Sequence, residues 1–310
     1  MANIGYIQVA RICNQRCLFC SNPDNDRIIP VAEAAAKASS LADEGYYGVI
    51  LTGGEPTLHP NLEEIIAHAA SCGLEVRIIT NGQKTADPNL LKNLVDAGLK
   101  HVHVSVHTCR EQLQAELSQN PDSLANILKT LDNIEKLGIT CDINTVMCAQ
   151  NADHLDETVR FLVERYPFIR HFVFNNIDPS MNRVAENPHT VARLADLELS
   201  LHRALGFLEQ SGRTYRVERL PLCYMVEFAH ASTETRKIVK SEERTVHFLD
   251  QREKVTQKDF HHRKAKVCAH CSLDGICAGL YDMDGAYDSA ELHPIFIDPE
   301  PIVRRIIEGR

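Results

Sequence analysis

No apolar stretch in the 310-residue sequence approaches the roughly 20 residues needed to span a bilayer. The N-terminus, Met1-Ala2-Asn3-Ile4-Gly5, lacks the basic segment and following apolar run of a secretory signal. Together these absences predict a cytoplasmic protein that does not engage membranes. Excess positive charge is also missing. A net charge of −9 argues against a general nucleic-acid surface. No internal repeat or low-complexity tract interrupts the chain. What remains, 44% hydrophobic and 24% charged residues, is ordinary for a soluble globular protein with a large core. The length predicts one main domain over residues 1–210 and a smaller unit over 211–310.

Cysteine, by contrast, is plentiful. Eleven cysteines without a signal peptide point to metal ligation rather than disulfides, because reducing compartments keep thiols free. Cys13, Cys17 and Cys20 form a C-x-x-x-C-x-x-C triplet. Three thiolates can bind three irons of a [4Fe–4S] cluster and leave the fourth without a protein ligand. An electron-transfer cluster is normally closed by a fourth cysteine, and a structural zinc site by four tetrahedral ligands. A compact triplet with no neighbouring Cys or His therefore indicates an open site, the bland alternative being three unrelated thiols.

Phe19 sits just before the third cysteine, and Gly53-Gly54-Glu55-Pro56 follows the apolar run Gly48-Val49-Ile50-Leu51-Thr52. With triplet, aromatic and glycine motif in this order, the sequence resembles the radical S-adenosylmethionine (radical SAM) superfamily. The resemblance implies that the open iron chelates the amino and carboxylate groups of SAM. It further implies that Phe19, Gly53, Gly54, Glu55 and Pro56 belong to the cofactor site, with two glycines permitting close backbone approach.

Short β-like runs near 5–12, 47–52, 75–80, 101–107, 140–147 and 170–175 alternate with helical stretches near 31–45, 60–72, 87–98, 121–138 and 152–166. A final helix is expected near 189–210. This alternation predicts parallel strands with crossover helices. Six such units suit an α/β fold, a partial (β/α)6 TIM-like barrel, which is also what the resemblance implies. Loops at the C-terminal ends of barrel strands carry the chemistry, so the triplet, Gly-Gly-Glu-Pro and Thr80-Asn81-Gly82 should meet at one mouth, with Asn81 at the cofactor site.

The fourth strand, His101-Val102-His103-Val104-Ser105-Val106-His107, puts its histidines and Ser105 on one face and its valines on the other. The polar face should look into a water-containing cavity. His101 reads as a hydrogen-bonded histidine deep in the strand, and His107 at the mouth as a catalytic candidate. Ser105 matches the superfamily's polar residue that helps to hold SAM. On the fifth strand, Asn144 is a candidate for the ribose or methionine part of SAM, and Asp142 is either a substrate contact or a buried hydrogen-bonding group. The polar loop from Asn175 to His189 is long enough to close over the mouth. Arg183 within it is a candidate clamp for carboxylate or phosphate, or simply a solvated charge.

Cys268-Ala-His-Cys271 and Cys277 form C-x-x-C-x5-C, with Cys223 as an upstream fourth ligand. This group resembles the auxiliary-cluster extensions called SPASM and twitch, the shorter twitch form fitting one cluster's worth of cysteines. It implies a second [4Fe–4S] cluster. A structural Zn(Cys)4 site is the alternative, and His270 could replace a thiolate in either. Cys223 could instead stand free as a hydrogen-atom donor. Cys72, Cys109, Cys141 and Cys148 read as core or loop residues. The basic run His261–Lys266 reads as a solvated face or a charge offset for the cluster, and Glu291–Ile295 as a strand returning to the barrel.

These readings predict an enzyme that cleaves SAM reductively to a 5′-deoxyadenosyl radical and takes a hydrogen atom from a small metabolite or a ribosomally made peptide. A low-potential flavodoxin or ferredoxin should supply the electron. The short N-terminus leaves no room for a leader-binding module before the barrel, which weakens the peptide alternative. Two other classes compete: a non-catalytic iron–sulfur carrier or assembly protein, and a SAM-dependent methyl or methylthio transferase.

Overall fold

A computed structural model describes residues 4–22, 25–179, 182–242, 244–249, 255–257 and 262–309. His261 of the basic run, and Ser180 and Met181 of the 175–189 loop, lie outside the described residues.

The chain begins with five strand–helix units: β1 (Ile4–Ala10) and α1 (Val31–Asp43), β2 (Gly48–Gly53) and α2 (Leu62–Ser71), β3 (Glu75–Thr80) and α3 (Pro88–Asp96), β4 (Leu99–Ser105) with α4 (Glu111–Ser118) and α5 (Ser123–Leu137), and β5 (Thr140–Met147) with α6 (Leu155–Arg165). β6 (His171–Asn176) leads through α7 (Arg183–Glu186) to α8 (Leu194–Gln210) and β7 (Thr214–Glu218). All six expected strands are present. Helix α4 is an addition: of its buried residues Gln114, Leu117 and Ser118 only Leu117 is apolar, so it carries little periodic signal in the sequence.

Parallel pairing runs β7-β6-β5-β4-β3-β2-β1 and continues on the far side of β1 into β8 (Arg244–His247), with β9 (Val255–Gln257) added antiparallel. The partial barrel thus has eight parallel strands rather than six. β7 and β8 both come from beyond residue 210, so the expected division at that point is not a division of the sheet. Between them the chain must cross from one edge of the open barrel to the other. It does so through α9 (Thr233–Lys240).

The two faces of the sheet differ as their sequences require. Outward residues such as Val49, Leu51, Val76, Ile78, Val102, Val104, Ile143 and Phe172 are at most 1% exposed beneath the helices. The alternate residues line an interior cavity of about 850 Å3, among them Tyr6, Arg77, His101, His103, Asp142, Asn144, His171, Arg216 and Glu218. Thr233, Lys237, Ser241 and Glu242 cover it from the open side.

The C-terminal part adds the small hairpin β10 (His262–Arg263) and β11 (Leu280–Tyr281), then α10 (Glu300–Glu308). It docks on the end of β6: the Tyr287 hydroxyl reaches Asn176 Oδ1 and the Ile177 carbonyl, each at 3.0 Å. The expected strand at 291–295 does not form. Its backbone N–H groups are instead turned toward cysteine sulfurs: that of Ile295 lies 3.3 Å from Cys271 Sγ, and that of His293 bonds Cys223.

Candidate functional site

The segment after β1 that carries Cys13, Cys17 and Cys20 is held from both sides by backbone. On one side Gly54 N donates to the Ala10 carbonyl at 2.7 Å and Glu55 N to that of Ile12 at 2.8 Å. On the other, Arg16 N and Leu18 N donate to the carbonyls of Ser118 and Leu117 at the end of α4. The glycines are there because nothing larger fits. A Cβ on Gly53, whose φ is +141°, would lie 1.9 Å from the Ala10 carbonyl oxygen, and one on Gly54 2.3 Å from that of Arg11.

Glu55 is wholly buried and works inward. Oε1 accepts from Thr57 N, Thr57 Oγ1 and Thr80 Oγ1, and Oε2 accepts from Asn81 N at 2.7 Å. Burial pushes its carboxyl up, against hydrogen bonds that favour the anion. The carboxylate therefore ties the end of β2 to the end of β3, while Pro56 starts the single turn that supplies Thr57 N. Asn81, so fixed, donates to Asn14 Oδ1 at 2.8 Å and approaches Cys13 Sγ at 3.7 Å. The mouth expected from the three loops is present.

Phe19 turns away from the cavity into a small apolar cluster with Leu117, Cys148, Ile177 and Val184. Its ring meets His107 edge-on, with centroids 4.6 Å apart. His107 is buried as well, and Nδ1 accepts from Val146 N at 3.2 Å. Burial pulls its pKa down to about 4, so it is neutral and supports the cysteine loop from behind. Ser105 pairs in register with Asn144, which does line the cavity.

Cys17 faces the other two thiols: burial first, and then Cys20 and Cys13, push it up, while Arg183 opposes. Arg183 is only 8% exposed, and its Nε and Nη1 find no hydrogen-bond partner among the described protein atoms. It is a buried cation at the mouth rather than a solvated loop charge.

Deeper in the barrel, Asp142 lies beside His101 and His103. Burial alone would raise the Asp142 carboxyl; the adjacent imidazoles of His101 and His103 outweigh it and hold the group below its ordinary value. Burial lowers His103 to about 3 and His171 to about 4, so both rings are neutral.

Cys223, Cys268, Cys271 and Cys277 line a second, small cavity with Leu222, Lys264, Leu273 and His293. Backbone N–H groups point at their sulfurs: Gly279 N lies 3.4 Å from Cys277 Sγ, and Leu222 N also bonds that thiol. Burial pushes Cys223 up to about 12. Cys141 and Cys148 are buried, and Cys72 and Cys109 are partly buried.

Sequence reasoning missed Asn22, which accepts from Arg11 and donates to the Gly53 carbonyl at 2.8 Å, locking loop to glycine motif. It also missed Arg216 and Glu218, although their alternation with Tyr215 and Val217 on β7 carries the same period-two signal as β4.

No helix among the described residues is long and apolar enough to cross a membrane. GTP 3′,8-cyclase of Helicobacter pylori is 30% identical over 180 residues, 55% of this chain and 56% of that protein. PqqA peptide cyclase of Bradyrhizobium diazoefficiens is 28% identical over 162 residues, 51% and 42% respectively. The chain thus spans about half the length of the curated relatives it matches. Streptococcus suis SuiB bound to S-adenosylmethionine shares the fold over 95% of this chain and 76% of its own, with a TM-score of 0.64 at 18% identity. anSMEcpe with bound AdoMet aligns over 69% and 64%, with a TM-score of 0.55 at 17% identity. Residues 7–162 match the radical SAM superfamily. Because that stretch is half of the chain and takes in the cysteine loop with both loops packed on it, the chain belongs to the radical SAM superfamily.

Proposed function

We propose that the chain cleaves SAM reductively and uses the product radical to take a hydrogen atom from a substrate held in the barrel. The observation that carries this reading is the mouth itself: three neighbouring thiols on a loop clamped by Gly54 and Glu55, at the C-terminal ends of strands whose inner faces line a polar cavity of about 850 Å3. Cys13, Cys17 and Cys20 are the ligands of the family's [4Fe–4S] cluster; bound there with SAM, it supplies a 5′-deoxyadenosyl radical on one-electron reduction. Gly54 offers backbone to the bound amino group, Asn81 orients the loop and Asn144 hydrogen-bonds SAM from the cavity wall. Ser105 supports it from the neighbouring strand. Arg183 offers its free guanidinium nitrogens to an anionic group. Phe19, Glu55 and Pro56 keep the loop in place.

Cys223, Cys268, Cys271 and Cys277 are the ligands of a second [4Fe–4S] cluster in a twitch-like unit. A tetrahedral zinc site holds its sulfurs about 3.8 Å apart. Among the described residues, no three cysteine sulfurs are mutually within 4.8 Å, wider than a tetrahedral zinc site holds them. The backbone N–H donors also favour thiolates bound to such a cluster. Cys223 is then a ligand rather than a hydrogen-atom donor, and His270 is not required.

The substrate is a polar small molecule or a short peptide segment. Cavities of this volume enclose ligands of that size, and the relatives' names include a cyclase of GTP and one of a peptide. SuiB also occurs bound to its precursor peptide SuiA. A flavodoxin or ferredoxin supplies the electron. The test is mass spectrometry of metabolites and short peptides incubated with the reconstituted enzyme, SAM and a low-potential reductant. Formation of 5′-deoxyadenosine with a mass change in one substrate supports the reading. Intact SAM under these conditions would refute it.

A further inference from the structure

Three side chains at the floor of the barrel take no part in the site at its mouth. His101 and His103 on β4 and Asp142 on β5 are 7%, 8% and 6% exposed. Parallel register sets His103 directly beside Asp142, and His101 is one inward-facing position lower on its strand. Asp142 Oδ2 lies 2.9 Å from His101 Nε2 and 3.4 Å from His103 Nδ1. Among the described residues, this is the one set of three metal-binding side chains whose donor atoms lie within 4.8 Å of one another.

Two features separate this set from an ordinary hydrogen-bonded trio. First, Nε2 of both histidines is buried without a hydrogen-bond partner, although His101 Nε2 is 2.9 Å from a carboxylate oxygen. The distance for a bond is met and the direction is not. Second, the two imidazoles are stacked, with centroids 4.5 Å apart and planes 11° from parallel, so neither donates to the other, and one ring turns out of the stack when both direct a lone pair at one ion. The His101 nitrogen and the Asp142 oxygen, close yet not aimed at each other, are spaced as neighbouring ligands of one ion. Donors about 2.1 Å from a common centre sit about 3.0 Å apart in an octahedral site and about 3.4 Å apart in a tetrahedral one.

The surrounding charges permit a cation. Three cations line the cavity, Arg77, Arg216 and Lys237, and Arg77 is turned to Glu75, with contacts of 2.8 and 2.7 Å, and lies over the Tyr47 ring. His171 is held at Nδ1 by Thr214 at 2.7 Å. Glu218 and Glu242 line the same cavity and add negative charge.

We propose that His101, His103 and Asp142 form a mononuclear site for a divalent transition-metal ion at the barrel floor, separate from both cysteine groups. Two imidazoles and one carboxylate are the donor set of Zn2+, Fe2+, Co2+ and Mn2+ sites, and three protein ligands leave positions open toward the cavity.

The test uses the holoenzyme, with its cysteine groups occupied by iron and sulfide, dialysed anaerobically against Co2+. Bound cobalt is counted beside iron. One cobalt per chain is expected in the wild type, with electron-spin-echo couplings to imidazole nitrogen. Asp142→Asn and His103→Ala should each weaken binding by more than about 100-fold at unchanged iron content, since loss of a direct ligand exceeds the 10–100-fold typical of outer-shell changes. His171→Ala should bind cobalt as the wild type does. Absence of stoichiometric cobalt in the wild type, or its retention in the His101→Ala/His103→Ala double variant, overturns the proposal and leaves a hydrogen-bonded floor. Should the variants lose iron together with cobalt, the wild-type couplings decide alone: two imidazoles support the site and none refutes it.

Discussion

The two cysteine groups are built in opposite ways. Cys13, Cys17 and Cys20 lie on one short loop, and the precision of that loop comes from main-chain contacts made by Gly54 and Glu55. Cys223, Cys268, Cys271 and Cys277 come from separated stretches, and their sulfurs receive N–H groups from Leu222, Gly279, His293 and Ile295. The first group is local in sequence and depends on a neighbouring backbone that must stay bare. The second is assembled by tertiary folding and depends on each thiol reaching its place. One should therefore fail through a glycine and the other through a single cysteine.

The largest effect should follow from Cys13→Ala/Cys17→Ala/Cys20→Ala. About four irons per chain should be lost, and 5′-deoxyadenosine formation should stop, because the open site is gone. Iron analysis and chromatography of the SAM products measure both. Continued reductive cleavage in this variant would move the chemistry to the second group and reverse the comparison.

Gly54→Val comes next. A Cβ there would sit 2.3 and 2.4 Å from the carbonyl oxygens of Arg11 and Ile12, immediately before Cys13. Backbone must shift, so iron at the first group should fall along with SAM affinity. From the motif alone one would expect only the affinity to suffer. Gly206→Ala is the control, since its Cβ would meet only the Phe228 ring at 3.9 Å. It should change stability by no more than about 1 kcal/mol. Normal iron content in Gly54→Val, determined alongside calorimetric SAM binding, would show that the loop yields and that its geometry is not set by the glycine.

The local group and the six-strand frame were legible because their signals are periodic or contiguous: alternation on β4, glycines at a strand end, cysteines a few residues apart. The remaining features lie in pairings between distant segments. β8 beside β1, α9 across the open edge, and the backbone of 293–295 turned to sulfur rather than into a strand all depend on residues far apart in sequence, and no local pattern announces them. Phe19 and His107 are expected at the mouth from the sequence, but their direction is not readable there, since a buttress and a ligand contact occupy the same position on a loop.

Cys223→Ala addresses the second group alone. Its sulfur joins the other three around one cavity, so its loss should alter the electron paramagnetic resonance of the second cluster while iron at the first and its SAM cleavage persist. An unaltered spectrum would release Cys223 from the ligand set and leave it available as a hydrogen-atom donor.

The smallest effect concerns acid, acting through the buried histidine behind the first group, whereas the second group is braced by N–H groups that do not titrate. His107 supports Phe19 beneath the cysteine loop, and burial lowers its pKa from an ordinary 6.5 to about 4. Below pH 6.5 the unfolded chain gains a proton at this position and the folded chain does not, so stability is full above that pH and declines as the pH falls toward the folded value. Between pH 7 and pH 5 this one group should remove about 2 kcal/mol. His107→Asn keeps an acceptor for Val146 N and cannot titrate. It should be less stable than the wild type at pH 7 through lost packing against Phe19, yet show a flatter decline on acidification. Denaturant midpoints measured from pH 7 to pH 5 give both slopes. Parallel declines in the two proteins would mean that His107 is already protonated in the folded chain and that the brace behind the cysteine loop is charged.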